Sequence, residues 1–144
     1  MSHLTKVKTK LNDAKKLKRA LIWLGFKIEE NKKINSLNQV PVCDFVITNV
    51  GHWNVGFYRT EQGMYEIVGD SVSWGPMKKF ERLKVALKNS KNDDDCRNIF
   101  AGIIAQAAAV TTAIVEAENL GHTIVVSDPD KDGIIHARVE TASA

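Results

Sequence analysis

Only two cysteines, Cys43 and Cys96, stand in 144 residues, and they form neither a CxxC pair nor a secreted disulfide framework. That scarcity excludes a disulfide-stapled scaffold and sets the expectation of a reducing, cytoplasm-like compartment. No charged-then-apolar leader precedes Lys6, which sets the same expectation. The longest uncharged stretch of note, 99–115, falls short of the roughly 20 apolar residues of a membrane span and is interrupted by Gln106, Thr111 and Thr112, so no membrane association is expected. Neither GxGxxG nor a GxxxxGK block closed by Ser or Thr occurs, which argues against the common phosphate cradles. His3, His52, His122 and His136 are scattered without i, i+4 or short Cys/His spacing, so neither a metal nor a cofactor is expected.

What remains is enough for one domain over residues 1–144, 44% hydrophobic and able to bury a core without staples. The net charge is only +3, but it is unevenly placed: residues 1–33 carry ten Lys or Arg against Asp13, Glu29 and Glu30. A basic N-terminal face of this kind fits an acidic protein partner or, alternatively, nucleic acid.

Lys6, Lys8 and Lys10 alternate with Thr5, Val7, Thr9 and Leu11, the period-two pattern of a strand with one wet face. Asn12 is the expected N-cap of a following helix, with Leu17, Ala20, Leu21 and Leu24 on one side and Gly25 as its stop. After a polar connector from Glu29 to Gln39, a three-strand meander is expected over Val42–Thr48, Trp53–Tyr58 and Met64–Val68. In it Cys43, Phe45 and Ile47 share one face of the first strand, Trp53, Val55 and Phe57 one face of the second, and Gly56 marks a bulge or close packing. A short surface helix over Lys78–Lys88, a long helix from Asp94 to Leu120 closed by Gly121, and a hairpin of His122–Val126 with Ile134–Glu140 complete the chain. The expected fold is α+β, with an antiparallel or mixed sheet in the order β-α-β-β-β-α-β-β and helices on one face.

Ala101, Ala105, Ala109, Ala113 and Ala117 recur every four residues in the long helix. They are expected to form a stripe covered within the chain, or alternatively a helix seam between two copies. Three apparent motifs compete for a functional reading. Gly69-Asp70-Ser71 resembles the nucleophile block of the Gly-Asp-Ser-Leu hydrolases, which would make Ser71 an ester nucleophile with His136 or His52 as base, but Asp132 and His136 are one residue too far apart for the expected D-x-x-H. Asp128, Asp130, Asp132 and Gly133 resemble a calcium loop, but Val139 stands where the bidentate acid is due, so a polar turn is expected. Trp53 and Trp74 are candidate aromatic contacts for a partner, joining Lys6, Lys8 and Lys10 as the candidate binding residues.

Met1-Ser2-His3-Leu4-Thr5-Lys6-Val7-Lys8-Thr9-Lys10-Leu11, then Leu17-Lys18-Arg19-Ala20-Leu21 with Leu24-Gly25-Phe26, Asn54-Val55-Gly56-Phe57, Tyr65-Glu66-Ile67-Val68 and Asp132-Gly133-Ile134, resemble in order the hypothetical chloroplast open reading frame 35 family. That family is shared by plastids, cyanobacteria and some of their phages. The chain departs from it at Gln106-Ala107-Ala108-Ala109, where the family carries a Tyr-rich stretch, and by an apparent insertion from about Lys78 to Asp95. The resemblance brings no established activity. It implies a compartment: cytoplasm, plastid stroma or phage-infected host cytoplasm. An accessory, non-catalytic binding domain is expected instead from the residues, because a basic N-terminal face and a small-residue helix come without a convergent set of acid, base and nucleophile.

Overall fold

The lysine-alternating start forms strand β1 (Leu4–Lys8) in the computed structural model, which describes residues 4–36 and 39–140. Helix α1 (Ala14–Trp23) follows, capped by Asp13 instead of Asn12: the Asp13 carboxylate accepts the Lys16 N–H at 3.1 Å. Leu17, Ala20 and Leu21 are buried on its inner side. Gly25 stops it in the left-handed region, at φ 95°.

Four more strands complete the main sheet: β2 (Ile28–Lys33), β3 (Val42–Ile47), β4 (Val55–Arg59) and β5 (Tyr65–Asp70). Their order is β1-β5-β4-β3-β2 and every pairing is antiparallel, so α1 carries the chain across the sheet from one edge to the other. The chain is thus a single α+β domain.

Strand β2 corrects the expected polar connector. An edge strand needs only backbone pairing and one apolar anchor, here Ile28 opposite Ile47, so Glu29, Glu30, Lys32 and Lys33 stay exposed and leave no alternating signal. The expected shared face of Cys43, Phe45 and Ile47 also fails. Phe45 and Ile47 enter the main core, whereas Cys43 joins Ile34, Val46 and Val68 in a smaller cluster. The alternation breaks between the pairs Glu30–Phe45 and Lys32–Cys43, where the edge strand kinks at Asn31, φ 54°, a conformation Asn tolerates better than most side chains.

Beyond β5 lie 3-10 turns at Ser71–Ser73 and Gly75–Lys79, then a single turn of helix α2 (Lys84–Leu87). This region is less superficial than expected, because Leu83 and Leu87 are fully buried. Helix α3 (Asp93–Asn119) begins at Asn92, which accepts the Asp95 N–H at 2.8 Å, with three aspartates in its first turn complementing the helix dipole. Phe100, Ile103, Ile104, Ala107, Ala108 and Thr111 form its buried stripe. It packs beside α1 over the sheet, and strands β6 (Thr123–Val126) and β7 (Ala137–Glu140) then form a separate two-stranded hairpin.

The expected alanine stripe does not lie on one side. An i+4 series precesses by about 40° per step around a helix of 3.6 residues per turn. Ala105 and Ala109 therefore face solvent, Ala101 and Ala113 are half-buried, and Ala117 comes round to a buried position.

Gly56 sits in unbroken register between Val46 and Val68, so it marks close packing and no bulge. A Cβ there would lie 2.4 Å from Cys43 Sγ and 2.8 Å from Ile34 Cγ2. Gly56→Ala should destabilise the domain by about 1–3 kcal/mol through overpacking of the smaller cluster. A urea midpoint equal to that of the wild type would show that this cluster can yield.

Candidate binding surface

The parity of β1 decides where its lysines go. Thr5 is buried and Val7 packs on the main core beneath the helices, so Lys6 and Lys8 emerge on the opposite side of the sheet. There the Lys6 ammonium lies 5.7 Å from the centre of the Tyr58 ring. Burial pushes the Tyr58 hydroxyl up to about 12, helped by its hydrogen bond to Glu66.

Lys10 lies past the strand end and turns the basic surface toward the helices. With Leu11, Asn12, Asp13 and Lys16 it borders an open groove of about 400 Å³, closed on the other side by Ala105, Ala108, Ala109 and Thr112 of α3. The small alanines leave this space unfilled. The one carboxylate on the rim, Asp13, is held below its usual pKa chiefly by the Lys16 backbone N–H it accepts, with Lys15 and Lys16 nearby. Lys15, Lys18, Arg19 and Ile22 line a shallower depression further along α1.

Ion pairing is uneven over this surface. Lys18 meets Glu30 at 3.4 Å, whereas Lys6, Lys8, Lys10, Lys15, Lys16 and Arg19 have no carboxylate within 4.0 Å among the described residues. Some cations elsewhere are matched: Arg82 reaches Asp128 at 2.6 Å and its guanidinium stacks 4.1 Å from the centre of the Trp23 ring.

The two candidate tryptophans separate. Trp74 has no exposed surface and cannot touch a partner; it is a core residue. Its Nε1–H donates to Thr5 Oγ1 at 2.8 Å, and the Thr5 hydroxyl donates to the Gly69 carbonyl at 2.9 Å. Its ring passes so close to Gly69 that a Cβ there would sit 3.1 Å from Trp74 Cζ2. Trp53 precedes β4 instead of lying within it, half-buried, with the His52 ring edge-on at 4.7 Å.

The Gly69-Asp70-Ser71 block therefore serves packing. Asp70 is 1% exposed, and neither carboxylate oxygen has a hydrogen-bond partner among the described residues, so it orients no histidine. His136 spends its Nε2 on Asp130 at 2.8 Å. Asp130 also accepts the N–H groups of Asp132 and Ile134, and these bonds, the one from His136 foremost, hold its carboxyl below the usual range. Asp128 is thus committed to Arg82 and Asp130 to the turn itself. Gln106 fastens that turn to α3, donating to the Gly133 carbonyl at 2.6 Å and accepting the Ile135 N–H at 2.8 Å.

The sequence reading missed the groove, because its walls come from segments about 90 residues apart. The available signal was Lys16, which lies outside the apolar stripe of α1. No protein-family model, curated protein or solved structure matches the chain.

Both thiols are buried, and burial, followed by the charge of Asp44, pushes Cys43 up to about 11. A raised pKa means less thiolate at any given pH, so at about pH 9 the native chain should be alkylated at Cys43 far more slowly than the chain in urea, where the ordinary value near 8.5 returns. Equal rates would show that the site opens freely. Thr5→Val, which strands the buried Trp74 N–H, should cost about 1–3 kcal/mol, measured by urea unfolding.

Proposed function

We propose that this domain is a non-catalytic binding module that receives an acidic segment of a protein partner in the groove between the start of α1 and α3. The observation that carries the reading is the set of unpaired cations around a floor of small apolar side chains. An amphipathic helix could lay small residues against Ala105 and Ala109 while its carboxylates meet Lys10 and Lys16. Buried, unpaired thiols accord with action in a reducing compartment, as the resemblance to the plastid and cyanobacterial family implies.

Nucleic acid is the competing occupant of the same surface. Phosphates need cations but gain nothing from an alanine floor, and a phosphate-dominated complex would weaken steeply with added salt through counterion release. Catalysis by Ser71 draws less support, since Asp70 is buried without a hydrogen-bond partner among the described residues and the His136 Nε2 is held by Asp130.

Fluorescence anisotropy with a labelled Glu-rich amphipathic peptide and with a labelled DNA duplex separates the readings. The peptide should bind, and Lys10→Glu with Lys16→Glu should weaken it at least about tenfold, the loss of roughly 1.4 kcal/mol. Ala109→Leu fills the groove from an exposed position, so it should reduce peptide binding while leaving the melting temperature nearly unchanged. Peptide binding indifferent to both changes, or DNA binding with no peptide binding, would reject the proposal.

A further inference from the structure

Of the four sheet edges, those of β1, β2 and β7 differ in how they meet solvent. The outer edges of the main sheet, β1 and β2, carry Lys6 and Lys8 or Glu29, Glu30, Lys32 and Lys33, the usual defence against strand addition. Strand β7 carries charges of opposite sign two residues apart, Arg138 and Glu140, which a second copy running antiparallel can match instead of repel. It pairs with β6 alone, in a two-stranded sheet of a kind that is marginal by itself. Its central Val139 is 55% exposed, and Val125 of β6 and Leu120 at the end of α3 are 45% and 73% exposed.

The hydrogen-bond phase of the hairpin shows what β7 offers. Ser127 N–H donates to the His136 carbonyl at 2.9 Å, and the register continues through Val126–Ala137, Val125–Arg138, Ile124–Val139 and Thr123–Glu140. Inward-bonded and outward-facing pairs alternate in an antiparallel ladder. The backbone groups of Arg138 and Glu140 therefore turn toward β6, and the N–H and C=O of Val139 turn toward the open edge.

We propose that β7 pairs antiparallel with β7 of a second copy of this chain across a two-fold axis at Val139, joining the two hairpins into one four-stranded sheet. In this register the two Val139 residues exchange both backbone hydrogen bonds. Arg138 of each copy stands opposite Glu140 of the other, giving two reciprocal ion pairs on one face. Neighbouring registers lose this match. An axis at Arg138 or at Glu140 sets like charges face to face, and an axis between Arg138 and Val139 pairs no opposite charges. In the single chain Arg138 and Glu140 only bridge each other along the strand at 2.9 Å, with 72% and 50% of their side chains exposed, a contact of little worth.

Light scattering after size exclusion, on the full chain, tests the register. The wild type should show a concentration-dependent rise to the mass of two chains. Arg138→Glu alone and Glu140→Arg alone should each stay at the mass of one chain, because each sets like charges opposite one another across the axis. An equimolar mixture of the two variants should regain the two-chain mass, since each then supplies the charge the other lacks. Val139→Pro, which removes the central N–H, should also remain single. Far-UV circular dichroism should match the wild type in all three variants, their altered side chains being exposed. A wild type of one-chain mass at every concentration would overturn the proposal, as would single charge variants that still dimerise or a mixture that fails to recover. A two-chain mass lost in Ala109→Leu but kept in Arg138→Glu would place the seam on α3 and likewise overturn it.

Discussion

The Trp74 indole N–H is sealed from water, and Thr5 Oγ1 is the acceptor it finds. A buried donor must be satisfied, and this one is satisfied only when β1 lies beside β5 with Thr5 opposite Gly69. The ring needs the space that Gly69 leaves by having no Cβ, and it faces Phe100 of α3 at 6.3 Å between centroids. Residues 5, 69, 74 and 100 thus meet in one arrangement that fixes the edge strand, the exit from the sheet and the seat of the long helix. Positions that look like an esterase signature in one dimension are a socket for an aromatic ring in three.

The same arrangement distributes charge. Once Thr5 and Val7 must face the helices, Lys6 and Lys8 have only the other side of the sheet. Once Leu17, Ala20 and Leu21 must face the core, the lysines of α1 have only solvent. Lys10 connects the two sets at the corner of the domain. The basic surface is therefore a by-product of the burial pattern in each element, and its continuity depends on β1 being an edge strand. What distinguishes the groove from an ordinary solvated face is the floor of small apolar side chains that Lys10 and Lys16 flank.

Elements with a strong period were legible in the sequence. Strand β1, α1 and its Gly25 stop, the meander, α3 with its acidic start, and the hairpin all lie within a few residues of where alternation, capping and turn residues put them. Strand β2 was hidden because an edge strand of Glu, Asn and Lys owes its conformation to its neighbour. Trp74 was misjudged because an aromatic after a Gly-Asp-Ser turn gives no sign of which side it falls on; only the Thr5 hydroxyl, 69 residues earlier, decides that. The alanine series misled through arithmetic, since a repeat of four is close enough to the helical period to look like a stripe and far enough to spiral. Lys6, Lys8 and Lys10 were correctly placed at the surface, although no pattern within β1 could say that only Lys10 would stand beside Lys16.

The path of the chain across the sheet has a temporal side. Strand β1 precedes the other described elements along the chain, yet its ladder partner β5 begins at Tyr65, after three other strands. The meander from β2 to β5 needs only neighbouring segments and can zip by short loop closures, while β1 waits for the most distant pairing in the sheet. Until β5 is in place the lysine-rich segment has no template to join. Its charges, which repel other strands and hold it in water, keep that waiting period free of self-association.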